Sequence, residues 1–244
     1  MGTLKQSTGT RGTGRSTDTP NGGDDGRYRP GRHEPAGYYE RLRRYRLAVG
    51  VLLLSVIMIF VALTSAYIVR EGMGTFDPTT HSYVYDWKPI PLPNALLLLN
   101  TAVLLLSSVT LEMARRNLNA RAVTAGLTGL PGVAVDPERS APWLGITLVL
   151  GIGFLAGQYM AWRELRQQGL FLATNPSSSF FYVLTGVHAA HLVGGVVALL
   201  YAAFAVTLGR SLATRRVVVD AASWYWHFMA VLWIYIFALL HFGR

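Results

Sequence analysis

The 244-residue chain has no cysteine, two lysines and few charges of either sign, and each shortage narrows what it can be. Without thiols there is no disulfide, no Cys-ligated zinc, no iron–sulfur cluster and no Cys-bridged dinuclear copper. Charged residues make up 14% of the sequence and hydrophobic residues 51%, with a mean hydropathy of +0.32. An ordinary soluble domain carries about 25% charged residues, so the balance describes a membrane protein. All thirteen acidic residues fall in the N-terminal stretch, in connections or at the ends of apolar runs; Glu112 and Glu164 come nearest to the membrane. Proton and cation transporters place a carboxylate or an equivalent relay at membrane depth, which disfavours a transporter acting alone. No short apolar run follows a basic start within the first 30 residues, so no secretory signal peptide is expected.

What is present is a series of five apolar segments: Leu47 to Val69, Leu92 to Leu111, Trp143 to Trp162, Phe180 to Leu208, and Trp224 to Phe242. At about 1.5 Å per residue each can cross a hydrocarbon layer of roughly 30 Å. The expected fold class is therefore all-α, a polytopic membrane protein with five transmembrane helices. Residues 1–40 are rich in Gly, Thr, Arg and Asp and are expected to form a disordered tail, followed by a membrane domain over 41–244. The stretch Asn117 to Ser140 has no clear periodicity and reads as a surface loop. The formal charge is +9, and 20 of the 22 basic residues are Arg. They cluster beside the spans, which points to topology control and anionic lipid, with no nucleic acid partner. Counting from Arg32 onward, twelve lie on the side of the N-terminus and five on the other, which predicts a cytoplasmic N-terminus and an outer C-terminus.

Small residues are the natural packing elements where lipid gives helices no hydrophobic drive to associate. Gly153 and Gly157 form a GxxxG pair, and Gly186, Ala190, Gly194, Ala198 and Ala202 repeat at four-residue spacing along the fourth span. Either packing within the chain or docking of a partner subunit would use them. His188 and His191 are spaced i, i+3 in that span, and His227 lies in the fifth. Two imidazoles on facing helices, such as His191 and His227, could ligate a b-type haem; the plainer reading is bonding to neighbours or headgroups. His33 and His81 read as solvated, and His241 lies at the far end of the fifth span. The aromatic run WYWHFMAVLWIYIFALLHF is consistent with interface anchors or with a lipid-holding groove.

Several of these stretches together resemble subunit III of haem-copper cytochrome c oxidases. FFYVLTGVHAAHLVGG is similar to its TGxHxxHxxxG segment, and WYWHFMAVLWIYIFALL to its closing WHFxDxxWxxxF helix. LNTAVLLLSSVTLEMARR resembles its NTxxLLxSS segment, and GQYMAWRELRQQG the link before the penultimate helix. The resemblance runs from about Leu47 to Phe242, with the spans in the same order. It implies a five-helix bacterial form without the two extra N-terminal helices of seven-helix versions. It implies an inner-membrane subunit III beside oxidase subunits I and II, non-catalytic, with no cofactor or metal of its own and with haem and copper in those partners. It also implies a cleft holding phospholipid, lined or supported by His188, His191, Trp226 and His227. Related branches are quinol oxidases and nitric oxide reductase-associated proteins; a stand-alone b-type cytochrome is the alternative of another class. Two positions depart from the family pattern: Val56 stands where a Glu is usual, and Ala230 where an Asp is usual.

Overall fold

Each apolar run falls largely within a helix that extends past it at one or both ends. The computed structural model describes residues 38–85, 87–88, 90–126 and 140–242. The elements are α1 (Tyr38–Gly72), β1 (Thr75–Asp77), β2 (Ser82–Val84), α2 (Asn94–Gly126), α3 (Ser140–Gln167), α4 (Pro176–Thr207) and α5 (Leu212–Phe242). All five helices are long and apolar enough to cross a membrane. Even the shortest, 28 residues, reaches about 42 Å. The expected tail lies outside the described residues up to position 37, together with His33, and α1 already begins at Tyr38.

The expected loop from Asn117 is in part helix, because α2 continues to Gly126 before the stretch 127–139, which lies outside the described residues. Ala and Arg favour continuation there, and Leu118 is buried against the core. The fifth helix likewise starts at Leu212, twelve residues before its aromatic run.

Helix α2 packs on α3 and α5, and α4 packs on α3 and α5, so these four close a ring. Helix α1 meets α4 and α5. Its buried stripe is Val56, Phe60, Thr64 and Tyr67, one residue per turn, while residues such as Val51, Leu54, Met58 and Val61 face outward. Between α1 and α2 the chain makes a small antiparallel hairpin, then returns through Trp87, whose ring meets Tyr67 at 5.2 Å and Phe180 at 6.3 Å. Helix α4 starts at a capping box: the Asn175 side chain accepts from the Ser178 amide at 2.7 Å, and the Ser178 hydroxyl accepts from the Asn175 amide. The neighbouring Ser177 hydroxyl donates to the Lys88 carbonyl, tying the hairpin's return to this cap.

Of the expected packing glycines only Gly157 is tightly approached, and two others, Gly151 and Gly195, are close beside them. A Cβ on Gly151 would stand 2.7 Å from Trp226 Cη2, and one on Gly195 about 3.1 Å from both Trp226 and Tyr225. A Cβ on Gly157 would meet Asn100 Oδ1 at 2.2 Å, whereas Gly153 has nothing within 4 Å. The GxxxG pair is thus split, since Gly153 faces outward while Gly151, on the ring side of α3, receives the indole. On α4, Gly186 is loosely approached by Trp162 at 4.0 Å, and Ala190 and Gly194 are exposed.

The indole packed on Gly151 is a ring held on both sides and cannot swing away. Gly151→Ala should cost about 1–3 kcal/mol through overpacking against Trp226, while Gly153→Ala should be neutral. Thermal unfolding of the two variants in detergent measures the difference; equal midpoints would refute the packing assignment.

Candidate functional site

Three buried or half-buried tryptophans share one bonding device. Trp226 of α5 donates its indole N–H to Ser107 Oγ of α2 at 2.9 Å, and Ser107 passes its own proton to the Leu104 carbonyl at 2.7 Å. Trp233 of α5 donates to Thr101 Oγ1 of α2 at 2.9 Å, and Thr101 donates to the Leu97 carbonyl. Trp162 of α3 donates to Thr185 Oγ1 of α4 at 3.0 Å, and Thr185 donates to the Phe181 carbonyl. Each hydroxyl is satisfied within its own helix and still accepts across the interface, where no water competes. Asn100 adds a bond to the Phe154 carbonyl across α2 and α3 at 3.1 Å, and Tyr235 a bond to Thr64 across α5 and α1 at 3.1 Å.

A charged node stands at the end of the bundle where α1 and α5 start and the apolar part of α2 ends. Asp220 of α5 is 8% exposed and accepts from Arg46 Nε of α1 at 2.9 Å and from Arg115 Nη1 of α2 at 3.1 Å. Arg115 also grips Glu112 at 2.8 Å, and Glu112 pairs with Arg116 at 2.9 Å. His227 approaches Glu112 at 3.9 Å from the next turns of α5. Asp220 escaped the sequence reading because it was assigned to a connection; the signal available was VVVDAA, a lone acid in an apolar helical run. Val56 and Ala230, where the family pattern has acids, are both buried among apolar neighbours.

The candidate histidines do not converge. His188 is fully buried between Phe154 (6.0 Å between ring centroids) and Trp233 (5.2 Å), inside the ring of four helices. Its nitrogens have no hydrogen-bond partner among the described residues, nor has the buried amide of Gln158. His191 is half-buried on the α1 side, with Nδ1 2.8 Å from the Val187 carbonyl and its ring 6.1 Å from Phe60. His227 faces α2 through Glu112. His191 and His227 therefore face different helices and do not present two nitrogens to one plate-like ligand.

An apolar cavity of about 310 Å³ opens between α1, α4 and α5. Val49 and Leu52 line it from α1, Gly194 and Ala198 from α4, and Ala222 and Tyr225 from α5. Tyr225 is held in place by donating to the His191 carbonyl at 2.8 Å. The cavity exists because small residues meet there: Gly194 and Ala198 of the small-residue ridge on α4 oppose Ala221 and Ala222 on α5. A smaller recess shares Tyr45 and Val218 with it and adds Arg41 and Thr214. His188, His191, Trp226 and His227, the expected cleft residues, are absent from this lining; Trp226 is instead clamped in the core between Gly151 and Gly195.

With this arrangement in view, the likeness to known proteins is decisive. Residues 33–243 match the cytochrome c oxidase subunit III family. The chain belongs to that family. It is 29% identical over 202 residues to the probable cytochrome c oxidase subunit 3 of Nocardia farcinica, covering 81% of this chain and 88% of that protein. It is 30% identical over 218 residues to the cytochrome c oxidase subunit 3 of Synechocystis, covering 88% and 81%. The subunit from Danio rerio is 29% identical over 159 residues, covering 64% of this chain and 54% of that protein. As a member of the subunit III family, the chain is a multi-pass membrane protein and one subunit of a haem-copper oxidase complex.

The node sets the second prediction. Asp220→Asn leaves two guanidiniums facing a neutral side chain and should cost about 3 kcal/mol, the lower end for breaking a buried pair, because both arginines keep some water. Arg46→Gln should cost under about 1 kcal/mol, since that side chain is half exposed. Unfolding midpoints in detergent rank the two; a neutral Asp220→Asn would contradict the assignment.

Proposed function

We propose that the chain is the accessory, non-catalytic member of its oxidase, seated beside subunits I and II, which carry the haem and copper. The observation behind this reading is how the bundle spends its polar side chains. The three indole–hydroxyl pairs, the Asn100 bond and the Asp220 node all join one helix of this chain to another. Groups committed in this way stabilise a scaffold. The relatives bear the name of cytochrome c oxidase subunits, which favours cytochrome c over quinol as the complex's electron donor. A stand-alone b-type cytochrome would need His191 and His227 to face one ligand, and they face α1 and α2.

The membrane is the bacterial inner membrane in this reading, with the Asp220 node on the cytoplasmic side. Arg41, Arg43, Arg46, Arg115, Arg116, Arg215 and Arg216 gather at that end of the helices, as the positive-inside rule requires. Phospholipid is held in the cavity between α1, α4 and α5. The apolar lining suits an acyl chain, and the adjoining recess with Arg41 and Thr214 suits a headgroup phosphate. A volume of about 310 Å³ is at the small end of ligand sites, enough for part of one chain.

Two experiments test this. A tagged chain purified in mild detergent should carry haem-containing subunits and oxygen consumption driven by reduced cytochrome c. Recovery of the folded chain without them, or a Soret band from the isolated chain, would overturn the assignment. In the same complex, Ala198→Leu should fill the cavity and lower the phospholipid retained, counted by mass spectrometry, while Val197→Leu on the outer face leaves it unchanged. Equal retention in both variants would remove the cavity as the lipid site.

A further inference from the structure

The hairpin between α1 and α2 carries an aromatic face that the bundle does not use. Phe76 pairs with Tyr83 across the strands, with ring centroids 5.4 Å apart, yet the two remain 49% and 74% exposed. Tyr85, the residue after β2, is 64% exposed. The neighbouring pair of the ladder, Asp77 and Ser82, points the other way. The turn beyond it is polar: Asp77 accepts from the Thr79 amide at 2.9 Å, from the Thr79 hydroxyl at 2.6 Å and from the Thr80 hydroxyl at 3.1 Å. These bonds, led by that from the Thr79 hydroxyl, hold its carboxyl below the usual carboxylate range, so the tip stays ionised.

The height of this hairpin is fixed at both ends. On entry, Met73 closes α1 by bonding to the Val69 carbonyl at 3.1 Å, and the Met73 carbonyl accepts from Arg70 at 2.7 Å. On return, Trp87 is already buried against Tyr67, inside the apolar stretch of α1. Three-residue strands reach only about 10 Å from these anchors. The headgroup layer is roughly 5–8 Å thick on each side of the hydrocarbon. The aromatic base and the ionised tip stand within about that distance of the anchors, and Ile68 and Val69 in the last turns of α1 are exposed as well.

We propose that the Phe76–Tyr83 pair, with the exposed Tyr85 beside it in sequence, is an interfacial anchor that lies in the phospholipid headgroup layer at the C-terminal end of α1. Aromatic rings with an apolar body and a polar edge favour that layer. The anchor would fix the depth of α1, and with it the Tyr67–Trp87–Phe180 cluster that joins α1 to the start of α4.

The test uses the assembled oxidase reconstituted in vesicles of phosphatidylcholine and phosphatidylglycerol. Nitroxides are attached through Phe76→Cys, Tyr83→Cys or, at the tip, Thr79→Cys, and the identically treated parent complex is subtracted. All three side chains are exposed, so the substitutions leave the core intact. Power-saturation measurements compare collisions with oxygen, which partitions into lipid, and with a water-soluble nickel chelate. The ratio of oxygen to nickel collisions should be several-fold higher at 76 and 83 than at 79. Equal ratios at all three positions would place the hairpin in water, and loss of both collision partners at 76 and 83 would mean that another subunit covers it; either result overturns the proposal.

Discussion

A carboxylate at the edge of a membrane domain is costly unless its charge is met, and the structure meets that of Asp220 with two guanidiniums from different helices. This constraint orders much of the rest. Arg46 belongs to α1, Arg115 to α2 and Asp220 to α5, so the pairings bring three helices together at one end. Helix α1 joins it through Arg46, and it also lays one stripe of side chains against α4 and α5 and accepts a bond from Tyr235 at Thr64. At the opposite end the ring cluster of Tyr67, Trp87 and Phe180 takes over. Between these two attachments, small residues on α4 and α5 leave the apolar cavity open.

The ring of four helices follows a different logic. Its core places large rings against the smallest residues: Trp226 lies over Gly151 and Gly195. Packing so close leaves the indole N–H no water, and a hydroxyl of the neighbouring helix accepts it. The same solution recurs at Trp233 and Trp162, so steric fit and hydrogen bonding specify the same helix registers. Such bonds are worth on the order of 0.6 kcal/mol each in membranes, and their combined effect is register more than strength.

Much of this was legible in the sequence. Five uninterrupted apolar runs predict five helices with little ambiguity, and the four motif stretches carried the family resemblance that the match over residues 33–243 established. The site residues were harder to read. His188 and His191 are about 60° apart on an ideal helix, which by spacing alone puts them on one face. That angle is enough to send one into the ring beside Phe154 and the other toward Phe60 of α1. Spacing along one helix cannot tell which neighbour each side of it meets. Gly153 and Gly157 illustrate the same limit, since the pattern flags both and only Gly157 is approached. Asp220 was missed because hydropathy marks where helices are apolar, whereas α5 begins two turns before its acid, in a stretch read as a connection.

Asp220 ties α1 to α2 and α5 through its two arginines, at the end of the bundle beside the cavity. Pulsed electron resonance between nitroxides at Leu54 on α1 and Phe204 on α4, both exposed, reads that geometry in the assembled oxidase. The native complex should give one narrow distance, and Asp220→Asn should broaden it and move it outward. An unchanged narrow distance in a folded Asp220→Asn complex would contradict this role of Asp220.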